Sequence, residues 1–268
     1  MSFVTTPAGD HVAFDRYGPA GAPGVLFVSG AGPTRADDPT TTRTAHLLGE
    51  RGIQASVHDR IGRGDSEADG PIDLERELFA IETLAQELGG PVVLTGHSSG
   101  CAIAMLAASR IPSCAGLVLW EAPIGQFDGG APAWWDTVAA HVDADRLPEA
   151  VAAYMVGMPP EWLDELRQSP AYPRLVLSWI PDGMALAQIE RAGLSATLRD
   201  VTDPVLALIG TETFPGMAET ASAIAEAAPN GADEELAGAW HTWDADAMAS
   251  RLERFVRGEA LNAARRSS

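Results

Sequence analysis

Ser98 stands in Gly96-His97-Ser98-Ser99-Gly100, a serine with a glycine two residues to either side. These residues follow the apolar run Val92-Val93-Leu94-Thr95 and open an alanine-rich, helix-like stretch. A serine becomes a nucleophile when a base takes its proton and N–H donors meet the oxyanion that forms. A tight strand-to-helix turn projects the hydroxyl above a sheet and sets it at the positive end of a helix dipole. Such a turn presses together the residues two before and two after the serine, and glycine leaves the room. The Gly-x-Ser-x-Gly pattern alone is weak; the strand before it and the helix after it give it weight. His97, inside the motif, reads as packing or hydrogen-bonding locally, with substrate contact the lesser alternative. Six histidines are candidates for a base: His11, His46, His58, His97, His141 and His241.

The elements that must position this serine alternate in type. Short apolar runs bounded by Gly, Pro or Asp predict strands near 2–6, 11–18, 24–30, 54–59, 91–96, 116–121 and 204–210, with a weaker one around 232–237. Runs of this kind fit strands buried on both faces of a parallel sheet. Helical patterns cover 40–51, 73–89, 99–110, 216–228 and 244–257. In the second, Leu74, Leu78, Ile81, Leu84 and Leu88 recur at helical spacing before Gly89-Gly90 stop it. The alternation predicts a doubly wound α/β fold.

Residues 125–200 break the rhythm. No strand pattern is evident there, and successive helices are predicted, including one over "YPRLVLSWI". A crossover between strands needs only about a dozen residues, so this stretch reads as a helical lid inserted in a core of 1–124 and 201–258. Residues 259–268 read as a frayed tail. Trp134, Trp135 and Met155 in the lid are candidates to line a pocket, as are Tyr154, Met158, Trp162 and Trp179. Burial in the core is the commoner fate of apolar residues at helical spacing.

Composition sets outer limits. The 268 residues are 46% hydrophobic, enough for a full core, and carry a formal charge of -19. There is no lysine; every basic residue is arginine, a usage similar to that of GC-rich bacterial genomes. A strongly acidic surface opposes nucleic acid and anionic membranes. No apolar segment reaches the ~18 residues of a membrane span. "MSFVTTPAGDHV" shows no signal-peptide pattern, so a cytoplasmic location is expected. Cys101 and Cys114 lie in apolar surroundings and match neither a disulfide framework nor a metal spacing. Arg63-Gly64-Asp65-Ser66 spells a cell-adhesion tetrapeptide but reads as a turn leaving a strand.

"LTGHSSG" after one strand, "FVSGAGP" after an earlier one and "DRIGRGDS" between them resemble the α/β-hydrolase superfamily over nearly the whole chain. The wording is most similar to actinobacterial serine hydrolases with a Gly-His-Ser-Ser-Gly nucleophile elbow. The resemblance implies an oxyanion hole from the backbone N–H groups of Ser99 and Ala31. The superfamily's loop after the third strand usually begins His-Gly, whereas Ser29-Gly30 stands here. Backbone donors do not depend on that side chain, but what supports the loop is left open. The fold places the base after the last strand and before the final helix, which implies His241. Asp244 or Asp246 would stand near the first turn of that helix.

The acid is less direct. The superfamily's commonest acid position falls on Thr213, which has no charge to stabilise an imidazolium. Glu212 is adjacent, yet one step along a strand reverses side-chain direction. The other known position follows the strand after the elbow helix, where Glu121 ends "LVLWE". A carboxylate at a buried strand end is costly unless paired. Glu121 is therefore the expected acid, Glu212 the alternative, and Asp128 or an acid-free dyad remoter ones. The expected activity is hydrolysis of a small apolar ester or lactone without metal or organic cofactor. The partner would be a small-molecule substrate. A non-hydrolytic binder, or a cofactor-free lyase or cyclase, is the alternative on the same scaffold. The Asp-nucleophile reactions of the superfamily are disfavoured by the serine.

Overall fold

The computed structural model describes residues 1–68 and 71–259. In chain order its elements begin with strands β1 Ser2–Thr5, β2 His11–Tyr17 and β3 Gly24–Val28, helix α1 Pro39–Glu50, strand β4 Gln54–His58 and helix α2 Leu74–Leu88. Strand β5 Val92–His97, helix α3 Gly100–Ala108 and strand β6 Cys114–Trp120 follow. Then come helices α4 Ala131–Asp143, α5 Leu147–Tyr154 and α6 Pro160–Leu166, a 3-10 helix Arg174–Trp179, and helices α7 Ile180–Ala192 and α8 Leu194–Leu198. Strand β7 Val205–Glu212, helix α9 Met217–Ala227, strands β8 Gly231–Ala239 and β9 Thr242–Trp243, and helix α10 Ala245–Val256 complete the chain.

The nine strands form one sheet in the order β1-β2-β4-β3-β5-β6-β7-β8-β9. The six from β4 to β8 in that order run parallel, while β1, β2 and β9 attach antiparallel at the edges. Along β3 the side chains alternate between two cores. Leu26 and Val28 join one with α2 and α3; Val25 and Phe27 join the other with α1 and α10. The sheet is thus covered on both faces, as uniformly apolar strands require.

Local chemistry fixes the helix ends. The Asp73 carboxylate accepts from the Arg76 N–H at 2.9 Å to start α2, and Gly89 closes it in the left-handed conformation at φ 71. Asp244, rather than Asp246, caps α10 through the Ala247 N–H at 2.8 Å.

The expected strands and helices of the core are present within a few residues of their predicted ends. Two differences stand out. The stretch 174–179 is a 3-10 helix rather than an α-helix, amid prolines 170, 173 and 181, which lack the N–H that an α-helical ladder needs. The short strand β9 was not signalled by the sequence. The 259–268 tail, apart from Glu259, lies outside the described residues. No helix among the described residues is long and apolar enough to cross a membrane. Cys101 and Cys114 are both free thiols.

Candidate active site

Ser98 occupies the single residue between β5 and the N-cap of α3, with φ 54. Its N–H donates to the Trp120 carbonyl at 2.9 Å, which ties the turn to β6. A Cβ on Gly96 would lie 2.5 Å from the Cys101 Cα, and one on Gly100 2.2 Å from the Val28 carbonyl oxygen. Both glycines of the motif are therefore sterically required. A Cβ on Gly30 would stand 2.8 Å from the Ser98 Cβ, so the loop after β3 also needs its glycine.

His241 lies at the tip of a hairpin. Ala239 of β8 pairs with Thr242 of β9, leaving Trp240 and His241 as a two-residue loop. Both are left-handed, at φ 50 and φ 75, as a type I′ turn demands. Such turns favour Asn and Gly, and neither is present. The His241 carbonyl is instead held by two donors, His97 Nε2–H at 2.8 Å and Trp120 Nε1–H at 3.3 Å. His97 also lies against the His241 ring, with centroids 4.7 Å apart. Burial, reinforced by His241, pushes the His97 imidazole down to about 4.

His241 Nδ1 meets Glu121 Oε2 at 2.6 Å. Glu121 is 1% exposed and follows β6 directly, itself left-handed at φ 46. Its other oxygen accepts from the Gly210 N–H at 3.0 Å and from the Thr213 hydroxyl at 2.6 Å. Burial pushes the Glu121 carboxyl up, but the hydrogen bonds from His241, Thr213 and Gly210 outweigh it and hold it below its ordinary value. The alternative acid, Glu212, is exposed at the end of β7 and contributes its carbonyl to the Trp240 N–H instead. The step of one residue along the strand has turned its side chain away, as the pleat requires.

The loop after β3 is supported by two buried arginines. Arg63 Nη1 donates to the Gly30 carbonyl at 2.6 Å, and Arg60 Nη1 to the Ser29 carbonyl at 3.1 Å. Both guanidinium groups pair with Asp182 of α7, at 2.6 Å from Arg60 and 3.1 Å from Arg63. Arg60 also pairs with Glu77 of α2 at 3.0 Å. The Ala31 N–H donates to the Ser99 hydroxyl oxygen at 3.0 Å, and that hydroxyl donates to Asp182 at 2.7 Å. The expected oxyanion donor at Ala31 is thus engaged with the Ser99 hydroxyl. Asp182, Arg60 and Arg63 were not expected as site residues. The signal for Asp182 was a lone carboxylate in the apolar run "SWIPDGMAL". Arg63 and Ser66 are buried, so the adhesion-like tetrapeptide is not displayed as a unit.

A cavity of about 880 Å³ opens above Ser98 and His241. Its lining includes Ala31, His97 and Ser99 and, from the helices between β6 and β7, Trp134, Tyr154, Met155, Trp162 and Trp179. Phe127 and Phe214 add aromatic surface; among the described residues Asp37 and Glu165 are the carboxylates, and no arginine lines it. Trp135 is a correction: it does not line this cavity but packs over Gly183 of α7, where a Cβ would come within 2.0 Å of its ring. It neighbours Trp134 in sequence, and adjacent residues on a helix diverge by about 100°.

Comparison with known proteins agrees with this architecture. Over 151 residues the chain is 33% identical to Lipase LipV of Mycobacterium tuberculosis, covering 56% of this chain and 49% of that lipase. The chain therefore matches about half the length of that relative. An alpha/beta hydrolase from Sphaerobacter thermophilus superposes with a TM-score of 0.76 at 28% identity, over 95% of this chain and 99% of that one. The esterase from Exiguobacterium antarcticum superposes at 0.65 with 18% identity, over 96% and 99%, a likeness of fold. A sequence profile of the Alpha/beta hydrolase family matches residues 25–257, nearly the whole chain, and the protein belongs to that family.

Proposed function

We propose that the protein is a serine hydrolase of neutral, apolar carboxylic esters or lactones, working through an acyl-enzyme. The observation that carries this reading is the 2.6 Å contact between His241 Nδ1 and Glu121, at the cavity that Ser98 lines. With Nδ1–H committed to the carboxylate, Nε2 is left as the base. It takes the Ser98 proton as Oγ attacks the substrate carbonyl carbon. The backbone N–H groups of Ser99 and Ala31 receive the oxyanion. The resulting imidazolium, steadied by Glu121, returns the proton to the leaving alcohol. Water activated by His241 then cleaves the acyl-enzyme and regenerates Ser98.

The substrate class follows from the cavity. Its walls are aromatic and aliphatic, its size suits a small organic molecule, and its charged lining is acidic. Neutral acyl groups fit these walls; a free carboxylate on the substrate would face repulsion. Helices α4 to α8 act as the lid that shapes this space. Two departures from the superfamily pattern favoured a non-hydrolytic binder, and each has a physical replacement. Arg60 and Arg63 stand in for the loop histidine, and Glu121 for the acid at Thr213.

The test is intact-mass spectrometry after treatment with a fluorophosphonate, together with hydrolysis of p-nitrophenyl butyrate. Wild type should gain one adduct, Ser98→Ala none. His241→Ala and Glu121→Gln should label far more slowly, while Glu212→Gln labels like wild type. Folded wild type that stays unlabelled and inert would refute the assignment.

A further inference from the structure

We propose that Asp182 is a positioning residue for the oxyanion site, acting through the Ser99 hydroxyl to fix the Gly30–Ala31 peptide plane; this rests on the serine-hydrolase reading above. The two ends of that one peptide unit are held by a single buried cluster. Its carbonyl, on Gly30, accepts from Arg63 Nη1 at 2.6 Å. Its N–H, on Ala31, donates to Ser99 Oγ at 3.0 Å. A peptide turned over would aim a carbonyl where the oxyanion develops, so its orientation decides whether the site is attractive or repulsive to negative charge.

Asp182 governs both ends. A serine hydroxyl has one proton and two lone pairs. Asp182 Oδ1 accepts that proton at 2.7 Å, so the hydroxyl presents a lone pair to the Ala31 N–H. Asp182 Oδ2 accepts from Arg63 at 3.1 Å, the same arginine that holds the Gly30 carbonyl. Asp182 is fully buried, and Ser99 is 3% exposed. A carboxylate in that setting is costly unless its partners are in place, and every partner named here belongs to the loop, the elbow or the arginine pair beneath them.

The arrangement also favours the transition state. The neutral Ser99 oxygen satisfies the Ala31 N–H at 3.0 Å. A developing oxyanion is the stronger acceptor, because charge-assisted hydrogen bonds are roughly twice as strong as neutral ones. A ground-state carbonyl lacks that advantage, so the N–H shifts toward substrate chiefly as charge builds. Asp182 lies in the first turn of α7. That helix of the inserted segment therefore acts on the chemistry, beyond covering the cavity.

The experiment compares wild type, Asp182→Asn and Ser99→Ala by two readouts. The first is kcat and KM for p-nitrophenyl butyrate, with kcat counted per serine labelled by fluorophosphonate, so that a loss of folded protein does not register. Both variants should lose about 10- to 100-fold in kcat, less than the roughly 100- to 1,000-fold of deleting a donor outright, with KM within about twofold. The second is the 1H–15N signal of Ala31, whose amide proton should move upfield and exchange faster in both variants. Unchanged kcat per labelled site, or an unchanged Ala31 signal, overturns the proposal. Should Asp182→Asn fail to fold, Ser99→Ala decides alone. An unlabelled, inert wild type would sink the hydrolase reading, while the Ala31 signal still decides whether Asp182 and Ser99 hold the peptide.

Discussion

The Thr213 hydroxyl donates to Glu121 Oε1 at 2.6 Å. In the proposed triad, the residue at the superfamily's commonest acid position would thus serve the carboxylate that takes that acid's role. On that reading acid and supporter exchange strands: Glu121 follows β6, and Thr213 follows β7. Glu121→Gln should lower kcat by on the order of 10³- to 10⁴-fold, the scale of losing a triad carboxylate. Thr213→Val should cost about 10- to 100-fold, since a hydrogen bond to a charged group is worth ~1.5–3 kcal/mol. Glu121→Ala combined with Thr213→Asp should recover activity above Glu121→Ala alone, as the charge returns to the neighbouring strand. Steady-state kinetics on these four variants would check this; no recovery would mean that the imidazole cannot be reached from residue 213.

Stability should fall as the solution becomes acidic. His58 is 5% exposed, and neither ring nitrogen has a hydrogen-bond partner among the described residues. Burial first, then Arg60, pushes it down to about 3. His97 lies at about 4 for the reasons given above. In an unfolded chain both titrate near ~6.5. Between that value and the folded ones the unfolded state binds more protons, so stability rises with pH there. It is full above about pH 6.5 and declines as the pH drops toward 4 and then 3. The lowered carboxyl of Glu121 adds a loss of the same sign at the acid end. Calorimetry from pH 8 to 4.5 should give a Tm that falls steadily below 6.5. His58→Leu should flatten that slope, and an unchanged slope would remove His58 from the account.

Charge should matter more than bulk in substrate choice. Asp37 and Glu165 are the carboxylates of the cavity lining. A neutral acyl ester should exceed its ω-carboxylate counterpart in kcat/KM by at least about tenfold, equivalent to ~1.4 kcal/mol. Asp37→Asn with Glu165→Gln should narrow the gap, mainly through the anionic ester. Equal rates for the two esters in wild type would contradict an acidic filter.

The hairpin tip offers a stability test. Trp240 is 63% exposed and left-handed at φ 50. The left-handed region costs an ordinary residue ~1–2 kcal/mol, and Asn tolerates it better. Trp240→Asn should therefore raise Tm by about 2–4 °C, the shift that ~1 kcal/mol produces in a chain of this size. A lowered Tm would show that the Phe214 contact of Trp240, with centroids 6.1 Å apart, outweighs the backbone strain.

Much of this site is legible in the sequence because its chemistry is local. The elbow glycines, the run into Glu121 and the cap of α10 are short patterns with short-range causes. The rest depends on pairings that no short pattern carries. Trp240-His241 lacks the Asn-Gly signature of its turn, so β9 escaped notice. Arg60, Glu77 and Asp182 belong to no short motif, yet each is fully buried, and only the fold brings 60, 77 and 182 together. Trp134 and Trp135 are alike in sequence; the approach of α7 through Gly183 decides which one meets the cavity.

Ser98, Glu121 and His241 share one feature: each is a non-glycine residue with positive φ, and Trp240 beside them is another. Local preference rejects these conformations, and only the surrounding contacts enforce them. The hairpin is the weakest point of that enforcement, because β9 is two residues long and lies at the sheet edge. Opening it releases His241 at the cost of withdrawing Trp243 alone from the second core, and local openings need far less free energy than global unfolding. On heating, activity should therefore fade reversibly below the temperature at which the sheet melts. The working range of the protein is then set by a two-residue edge strand and its one core side chain, Trp243, rather than by the sheet as a whole.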